Sequence, residues 1–178
     1  MHRQQLLQAL GRYQKSLLIT AHEHQMAHRM IEFIQNNPYF FERSNHEHIT
    51  GSVWIVSPDT TKVLLTHHKK LNRWLQLGGH ADGDSNIANV ALKEAQEESG
   101  IEQFTFLSEE IFDIDVHPLP SACAFHYDVR FLLQACHTQF IISDESNTLD
   151  WFDIDTVAQV IAEESVLRMN EKYKRFFK

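Results

Sequence analysis

The sequence predicts an α/β/α sandwich around a mixed β-sheet, with a helical extension at the N-terminus. Three observations predict this fold. Residues 1–36 carry apolar side chains at helical spacing, apolar runs of strand length separated by turns follow from residue 49, and a helix-like run that ends at Gly100 lies between those strands. With 178 residues, 43% of them hydrophobic, the chain can form one domain and a small extension.

The first 36 residues predict two helices. Leu6 and Leu10 recur at helical spacing, and Met26 and Met30 do so again further along. The segment Asn36-Asn37-Pro38 is expected to end the second helix, because proline cannot continue it.

The organisation changes at about residue 45. We therefore predict an N-terminal helical extension over residues 1–44 and the main domain over residues 45–178. Three roles are open for the extension: a lid, a packing cap, or a dimer contact that would make the protein a homodimer.

Strands and terminal helices account for most of the remaining chain. Strands are predicted at Ile49–Val56, Lys62–Thr66 and Trp74–Leu77, and, after the central helix, at Phe104–Leu107, Ile111–Val116 and Phe125–Leu133. Two terminal helices are predicted at Val157–Glu164 and Val166–Phe177.

Charge and cysteine content limit the classes of function that the chain can have. The net charge is −8 and the pI is near 5.8, which argues against a nucleic-acid backbone as the main partner. Cys123 and Cys136 lack the spacing of a metal site, so we expect reduced, buried thiols and a cytoplasmic protein. We expect neither a secretory signal nor a membrane span.

A glycine loop followed by an acidic helix end is the most informative motif. Gly78-Gly79-His80-Ala81-Asp82-Gly83-Asp84-Ser85 precedes a helix, with Asp84 or Ser85 as the expected N-cap and Gly100 as the expected stop. Near the end of that helix, Glu94, Glu97 and Glu98 are spaced so that their side chains project together, which is unfavourable without a cation. Carboxylates are ligands of Mg²⁺, so the motif predicts a magnesium site.

Residues 79–101 resemble the Nudix box, in which a glycine is followed after five residues by glutamate, and after seven more by Arg-Glu-apolar-x-Glu-Glu-x-Gly-apolar. Glu94, Glu97, Glu98 and Gly100 fit that pattern. Two positions depart from it: Ser85 replaces the first glutamate and Lys93 replaces the arginine. The resemblance implies the Nudix-type α/β/α sandwich and hydrolysis of a diphosphate.

The resemblance also implies roles for individual residues. Glu94, Glu97 and Glu98 would be the main ligands of Mg²⁺, or of Mn²⁺ in its place, and Gly78 would offer its backbone carbonyl. The general base is open between Glu94 and Glu145, because some Nudix enzymes supply a carboxylate from a late acidic loop such as residues 143–151. The alternative for Glu145 is a solvated position in a polar turn.

Cationic and imidazole groups are the candidates for binding the substrate. Arg73, at the end of a basic stretch, could reach a diphosphate, and His80 could contact phosphate or metal. On a strand, His126, Asp128 and Arg130 point to one side, where they line either a substrate cleft or a solvent-facing surface. The pairs His22 and His24, His46 and His48, and His67 and His68 are expected to be ordinary surface or hydrogen-bonded histidines.

We therefore predict a Mg²⁺-dependent Nudix pyrophosphohydrolase that cleaves a nucleoside diphosphate linked to another moiety. Its partner would be a small molecule and not a nucleic-acid duplex or a membrane. The alternative is a Nudix-like nucleotide-binding or regulatory module with little turnover, which the departures at Ser85 and Lys93 keep open. A Nudix-fold isomerase of an isoprenoid diphosphate is a third possibility that no segment favours.

Overall fold

A mixed β-sheet is at the centre of the structure. The structure is a computed structural model, and it describes residues 2–17, 19–43, 46–118 and 125–177. Eight strands form this sheet within the described residues: β1 (Glu47–Val56), β2 (Lys62–His68), β3 (Arg73–Leu75), β4 (Leu77–His80), β5 (Phe104–Phe106), β6 (Asp113–Pro118), β7 (Phe125–Ala135) and β8 (Ser146–Asp153).

Helices flank the sheet. They are α1 (His2–Tyr13), α2 (Ala21–Asn36), α3 (Ile87–Ser99), α4 (Val157–Val160) and α5 (Glu164–Phe176). A capping box starts α2, because Thr20 accepts a hydrogen bond from the backbone N–H of Glu23 while the Glu23 carboxylate accepts one from Thr20. The predicted end of this helix at Asn36 is confirmed.

The long strands β1 and β7 pair in parallel, and the other pairings are antiparallel. On its other side β1 is joined by β4 and β2, β7 is joined by β5 and β6, and β2 also pairs with β3 and β8. The prediction of a mixed sheet is therefore confirmed. The parallel pair places β4, β1, β7 and β6 next to one another, and this arrangement positions the site.

The two faces of the sheet pack against different helices. Ile49 on β1 belongs to a core that includes Leu10 and Met30 of the N-terminal helices and the N-terminal half of α3. Trp54 points to the opposite face and belongs to a second core with Val166 and other residues of α4 and α5. This layering is the α/β/α sandwich that the sequence predicts, and the helical extension packs directly on it.

Several local predictions were wrong. The run Trp74–Leu77 spans parts of two short strands. Most of the acidic loop predicted over residues 143–151 belongs to the strand Ser146–Asp153, which pairs with β2. The N-cap of α3 is Asn86, because its side-chain oxygen accepts a hydrogen bond from the backbone N–H of Asn89 over 3.2 Å. Asp84 instead accepts the backbone N–H of Asn86 in the turn before the helix. The predicted helix stop at Gly100 is confirmed, with φ 69°.

The prediction of buried thiols can be compared with the structure for one of the two cysteines. Cys136 is exposed, so the prediction of a buried thiol was wrong there, because it follows the last residue of β7. Cys123 lies outside the described residues. Among the described helices, none is long and apolar enough to cross a membrane.

Candidate active site

The glycine strand β4 lies directly against the acidic end of α3. The backbone N–H of Gly78 donates a hydrogen bond to Oε1 of Glu98 over 3.1 Å. At Gly79, a Cβ atom would lie 2.4 Å from Cδ of Glu94 and 2.6 Å from both of its carboxylate oxygens. Glycine at this position therefore leaves the space that the Glu94 carboxylate occupies.

The carboxylates of α3 are held in an environment that opposes their charge. Glu98 exposes 9% of its surface, and burial raises its pKa to about 8, with Glu94 and Glu145 adding repulsion and the Gly78 N–H opposing them. Burial also raises the pKa of Glu94 to about 7, with further repulsion from Glu97 and Glu145. Among the described residues, Lys93 and the Gly78 N–H therefore do not fully offset the burial and repulsion of the Glu94 and Glu98 carboxylates.

The residues present fit a hard divalent cation. The donor set consists of carboxylate oxygens, the chemistry that Mg²⁺ prefers. Glu97 is exposed at the rim, where the Lys93 Nζ lies 3.5 Å from its carboxylate. The charge of Lys93 also lowers the pKa of Glu94. A cation would offset the repulsion that raises the pKa of Glu94 and Glu98.

Glu145 lies near this cluster although it comes from a distant part of the chain. It is exposed just before β8, and its backbone carbonyl accepts a hydrogen bond from the N–H of Lys69 over 3.2 Å. Its charge contributes to raising the pKa of both Glu94 and Glu98. Pairing of β8 with β2 brings this part of the chain there.

Arg130 is placed differently from the prediction. It exposes 1% of its surface, and its guanidinium donates to Asp128, Asp113 and Asp115 over 2.7, 3.0 and 3.0 Å. A phosphate contact by Arg130 is therefore contradicted, because these three buried or half-buried carboxylates occupy its donors. The row of polar groups is neither a solvent-facing surface nor an open cleft at this point.

The buried charge network continues into the helices. Asp113 also accepts hydrogen bonds from Arg168 over 2.9 Å and from Lys172 over 2.6 Å, both on α5. Lys172 contacts Glu23 of α2 as well and donates to the hydroxyl of Tyr13 over 2.8 Å. The network thus ties the extension to the sheet.

Arg73 remains accessible. It is exposed on β3, and its Nη1 lies 3.4 Å from Oε2 of Glu163. A long contact of this kind between an exposed arginine and a half-buried glutamate contributes little to stability, so it leaves the guanidinium available to an incoming anion.

His80 and His126 meet at a second cluster. Their rings lie 4.9 Å apart, and the ring of the fully buried His48 is 5.0 and 4.7 Å from them. Burial lowers the pKa of His126 to about 3, and that of His80 to about 4, with neighbouring charges and imidazoles adding to the effect. His48 is fully buried, so the expectation of a surface residue does not describe it.

Comparison with known proteins gives a consistent result. A family model of the NUDIX domain matches residues 46–176. No curated protein matches the sequence.

Solved structures share the fold at low sequence identity. A NUDIX-family hydrolase from Clostridium perfringens is 23% identical, with a TM-score of 0.61 over 72% of this chain and 97% of that one. An Ap4A hydrolase from C. elegans is 16% identical, with a TM-score of 0.61 over 72% and 96%. The NUDIX domain of Shewanella oneidensis NrtR, solved with ADP ribose, is 16% identical, with a TM-score of 0.57 over 83% and 97%.

Proposed function

Because the chain belongs to the Nudix family, whose members hydrolyse pyrophosphate bonds, we propose that it is a Mg²⁺-dependent pyrophosphohydrolase of a nucleoside diphosphate linked to another moiety. The observation that carries the proposal is the packing of Glu94 and Glu98 against the glycine strand. Carboxylates whose pKa is raised because they are buried close to one another are typical of a site that binds a cation.

Each residue of the cluster has a proposed role. Glu94, Glu97 and Glu98, with the backbone carbonyl of Gly78, would hold Mg²⁺ or Mn²⁺. The ion would neutralise charge that develops on the diphosphate. Glu98 is the most firmly oriented of the three, because it is buried and accepts the Gly78 N–H.

Two carboxylates are candidates for the general base that takes the proton of the attacking water. Glu94 has a pKa of about 7, which suits proton transfer near neutral pH, and the space beside Gly79 defines its position. Glu145 is exposed and close enough to influence that pKa. We propose both as catalytic residues and leave the choice to kinetics.

The diphosphate requires cationic or hydrogen-bonding groups at the edge of the site. We propose Arg73 for this role, because it is exposed and only weakly paired. His80 is the last residue of the glycine strand and is proposed as a contact to the substrate, with His126 next to it. We further propose that the substrate is a small molecule and that the protein is cytoplasmic. We also propose a domain boundary near residue 44, and a homodimer as the assembly to test.

The test is a hydrolysis screen with Mg²⁺ or Mn²⁺ against nucleotide sugars, dinucleoside polyphosphates, NADH, ADP-ribose, CoA and nucleoside triphosphates. We expect Glu98→Gln to lower kcat by roughly 10²–10³-fold on any substrate that the wild type hydrolyses. Glu102→Gln is the matched control, because Glu102 is an exposed carboxylate just beyond the same helix. Hydrolysis that survives Glu98→Gln unchanged would contradict the site.

A nucleotide-binding module remains the second candidate, since Ser85 and Lys93 depart from the box. Isothermal titration with the same compounds separates the two. Tight binding by the wild type without turnover would favour the module, whereas turnover that stops on chelation of the divalent ion supports the hydrolase.

A further inference from the structure

Three histidines converge from three neighbouring strands. His48 is on β1, His80 on β4 and His126 on β7, and one ring nitrogen from each lies within 4.8 Å of the others. In the described part of the chain, this is the one set of three potential ligands that meets so closely. The residues are far apart in sequence, so the convergence is a property of the fold.

The strand register explains why they meet. His48 pairs with His126 across the parallel β1–β7 ladder, and Thr50, two residues further along β1, pairs with His80 across the antiparallel ladder. Residues that are paired or two apart project from the same face of a sheet. Gly79 points to the other face, toward Glu94, so the histidine cluster and the glutamates lie on opposite faces of the glycine strand.

The cluster leaves a buried polar atom unsatisfied. His126 exposes 8% of its surface, and its Nε2 has no hydrogen-bond partner among the described residues. The nearest carboxylate on its strand, Asp128, is already engaged: it accepts hydrogen bonds from Ser52 and Arg130, among others. A buried polar atom without a partner costs about 1–3 kcal/mol, so a ligand there has a physical reason.

We propose that His48, His80 and His126 bind a divalent transition-metal ion such as Zn²⁺. Imidazole nitrogens suit zinc, nickel and copper, whereas Mg²⁺ takes oxygen ligands, so this site differs in chemistry from the glutamate cluster. Three histidines with a fourth position open is an arrangement that zinc adopts in proteins. The three nitrogens lie within 4.8 Å of one another, so Zn–N bonds of about 2.0–2.1 Å require each nitrogen to move inward by at most about 1 Å.

The position of His80 gives the ion a structural consequence. His80 ends β4, the strand that carries Gly78 and Gly79. An ion shared with His48 and His126 would hold this strand to β1 and β7 and so restrict the backbone that positions Glu94 and Glu98. The inference concerns a second site and does not depend on the proposed hydrolysis. It assigns His80 and His126 to the ion in place of the substrate contact proposed above.

The test uses the full chain, stripped of metal with a chelator, and measures binding directly. We expect one Zn²⁺ per chain by isothermal titration, and intense visible ligand-field absorption when Co²⁺ replaces it. His48→Gln and His126→Gln should each weaken Zn²⁺ binding by at least about 100-fold, the upper end of the loss caused by changing an outer-shell partner. Excess Mg²⁺ should not displace the ion.

Two control variants separate this site from other sources of binding. The double variant His22→Gln/His24→Gln removes two exposed histidines of α2 and should bind Zn²⁺ as the wild type does. Glu98→Gln should also retain binding, since the ion is not held by the glutamates.

Two results would overturn the proposal. One is a wild-type protein that binds neither Zn²⁺ nor Co²⁺ stoichiometrically, or that gives only the weak spectrum of octahedral oxygen ligation. The other is unchanged affinity in His126→Gln. If a buried variant fails to fold by circular dichroism, the wild-type stoichiometry and Co²⁺ spectrum decide the question.

Discussion

Replacing Gly79 with alanine tests whether the position of Glu94 matters for activity. The added methyl group would lie 2.4 Å from Cδ of Glu94, about 1 Å closer than an ordinary van der Waals contact allows. The atoms it meets are the far end of a flexible side chain. We therefore expect the Glu94 carboxylate to move by about 1 Å while the backbone stays in place.

That displacement predicts a loss of activity with little loss of stability. A 1 Å misplacement in an active site can lower the rate about 100-fold, which corresponds to about 2.7 kcal/mol in the activation free energy. We expect kcat/KM of Gly79→Ala to fall by about this factor and its Mn²⁺ affinity to fall with it. The melting temperature should change by only a few degrees, because no backbone clash is created.

The assay combines hydrolysis of the best substrate in the screen, Mn²⁺ titration and thermal unfolding. Gly11→Ala is the control, because a Cβ there meets nothing within 4 Å and the residue lies inside α1. Alanine should stabilise that helix by roughly 0.5–1 kcal/mol and leave activity unchanged.

A double-mutant cycle identifies the cause. If Gly79→Ala acts through Glu94, it should have almost no further effect in a Glu94→Ala background. Wild-type activity in the single variant, or full additivity in the double variant, would refute the reasoning that Glu94 is positioned for catalysis by the glycine strand.

Three further predictions concern the buried charges and the box. Lys172→Met should lower the free energy of unfolding in urea by roughly 3–5 kcal/mol, because it leaves Asp113 buried with less compensation. Lys174→Met, at a pair in which the lysine is partly exposed and the glutamate is exposed, should cost at most about 1 kcal/mol. Burial raises the pKa of Asp113, but Lys172 and the neighbouring arginines outweigh burial and bring the pKa to about 2. The stability that the ionised Asp113 contributes is therefore present above the unfolded pKa of about 3.9 and is lost as the pH falls toward 2. A Tm that stays constant from pH 5 to pH 2 would contradict this. Ser85→Glu should raise activity or Mn²⁺ affinity, and no change in either would mean that the serine is already compensated.

The box and its helix were predictable because their signals are local. The spacing of Glu94, Glu97 and Glu98 places them on one helical face whatever the rest of the chain does, and Gly100 ends the helix through its own left-handed conformation. Apolar runs of strand length similarly predicted β1 and β7. The N-cap prediction was wrong because Asp84 accepts the backbone N–H of Asn86 in the turn before the helix, and the side chain of Asn86 then accepts the N–H of Asn89.

Arg130 shows what a local pattern does not contain. Its alternation with Asp128 correctly predicted that the two side chains share a face, but not that the face is buried. Burial came from β6 and α5, whose carboxylates and cations close around the guanidinium. A residue that resembles a phosphate ligand in sequence is a structural ion pair in the fold.

The sequence by itself determined the family, the order of most elements and the acidic helix, because these depend on spacings within a few turns or one strand. Only the tertiary structure decided which groups from distant segments meet. The parallel pairing of β1 with β7 brings His48 to His126, the pairing of β8 with β2 brings Glu145 toward α3, and the packing of α5 buries Lys172 against α2. Such contacts depend on strand register and helix docking, which no short spacing encodes, and they determine the charges and polar atoms that a site presents.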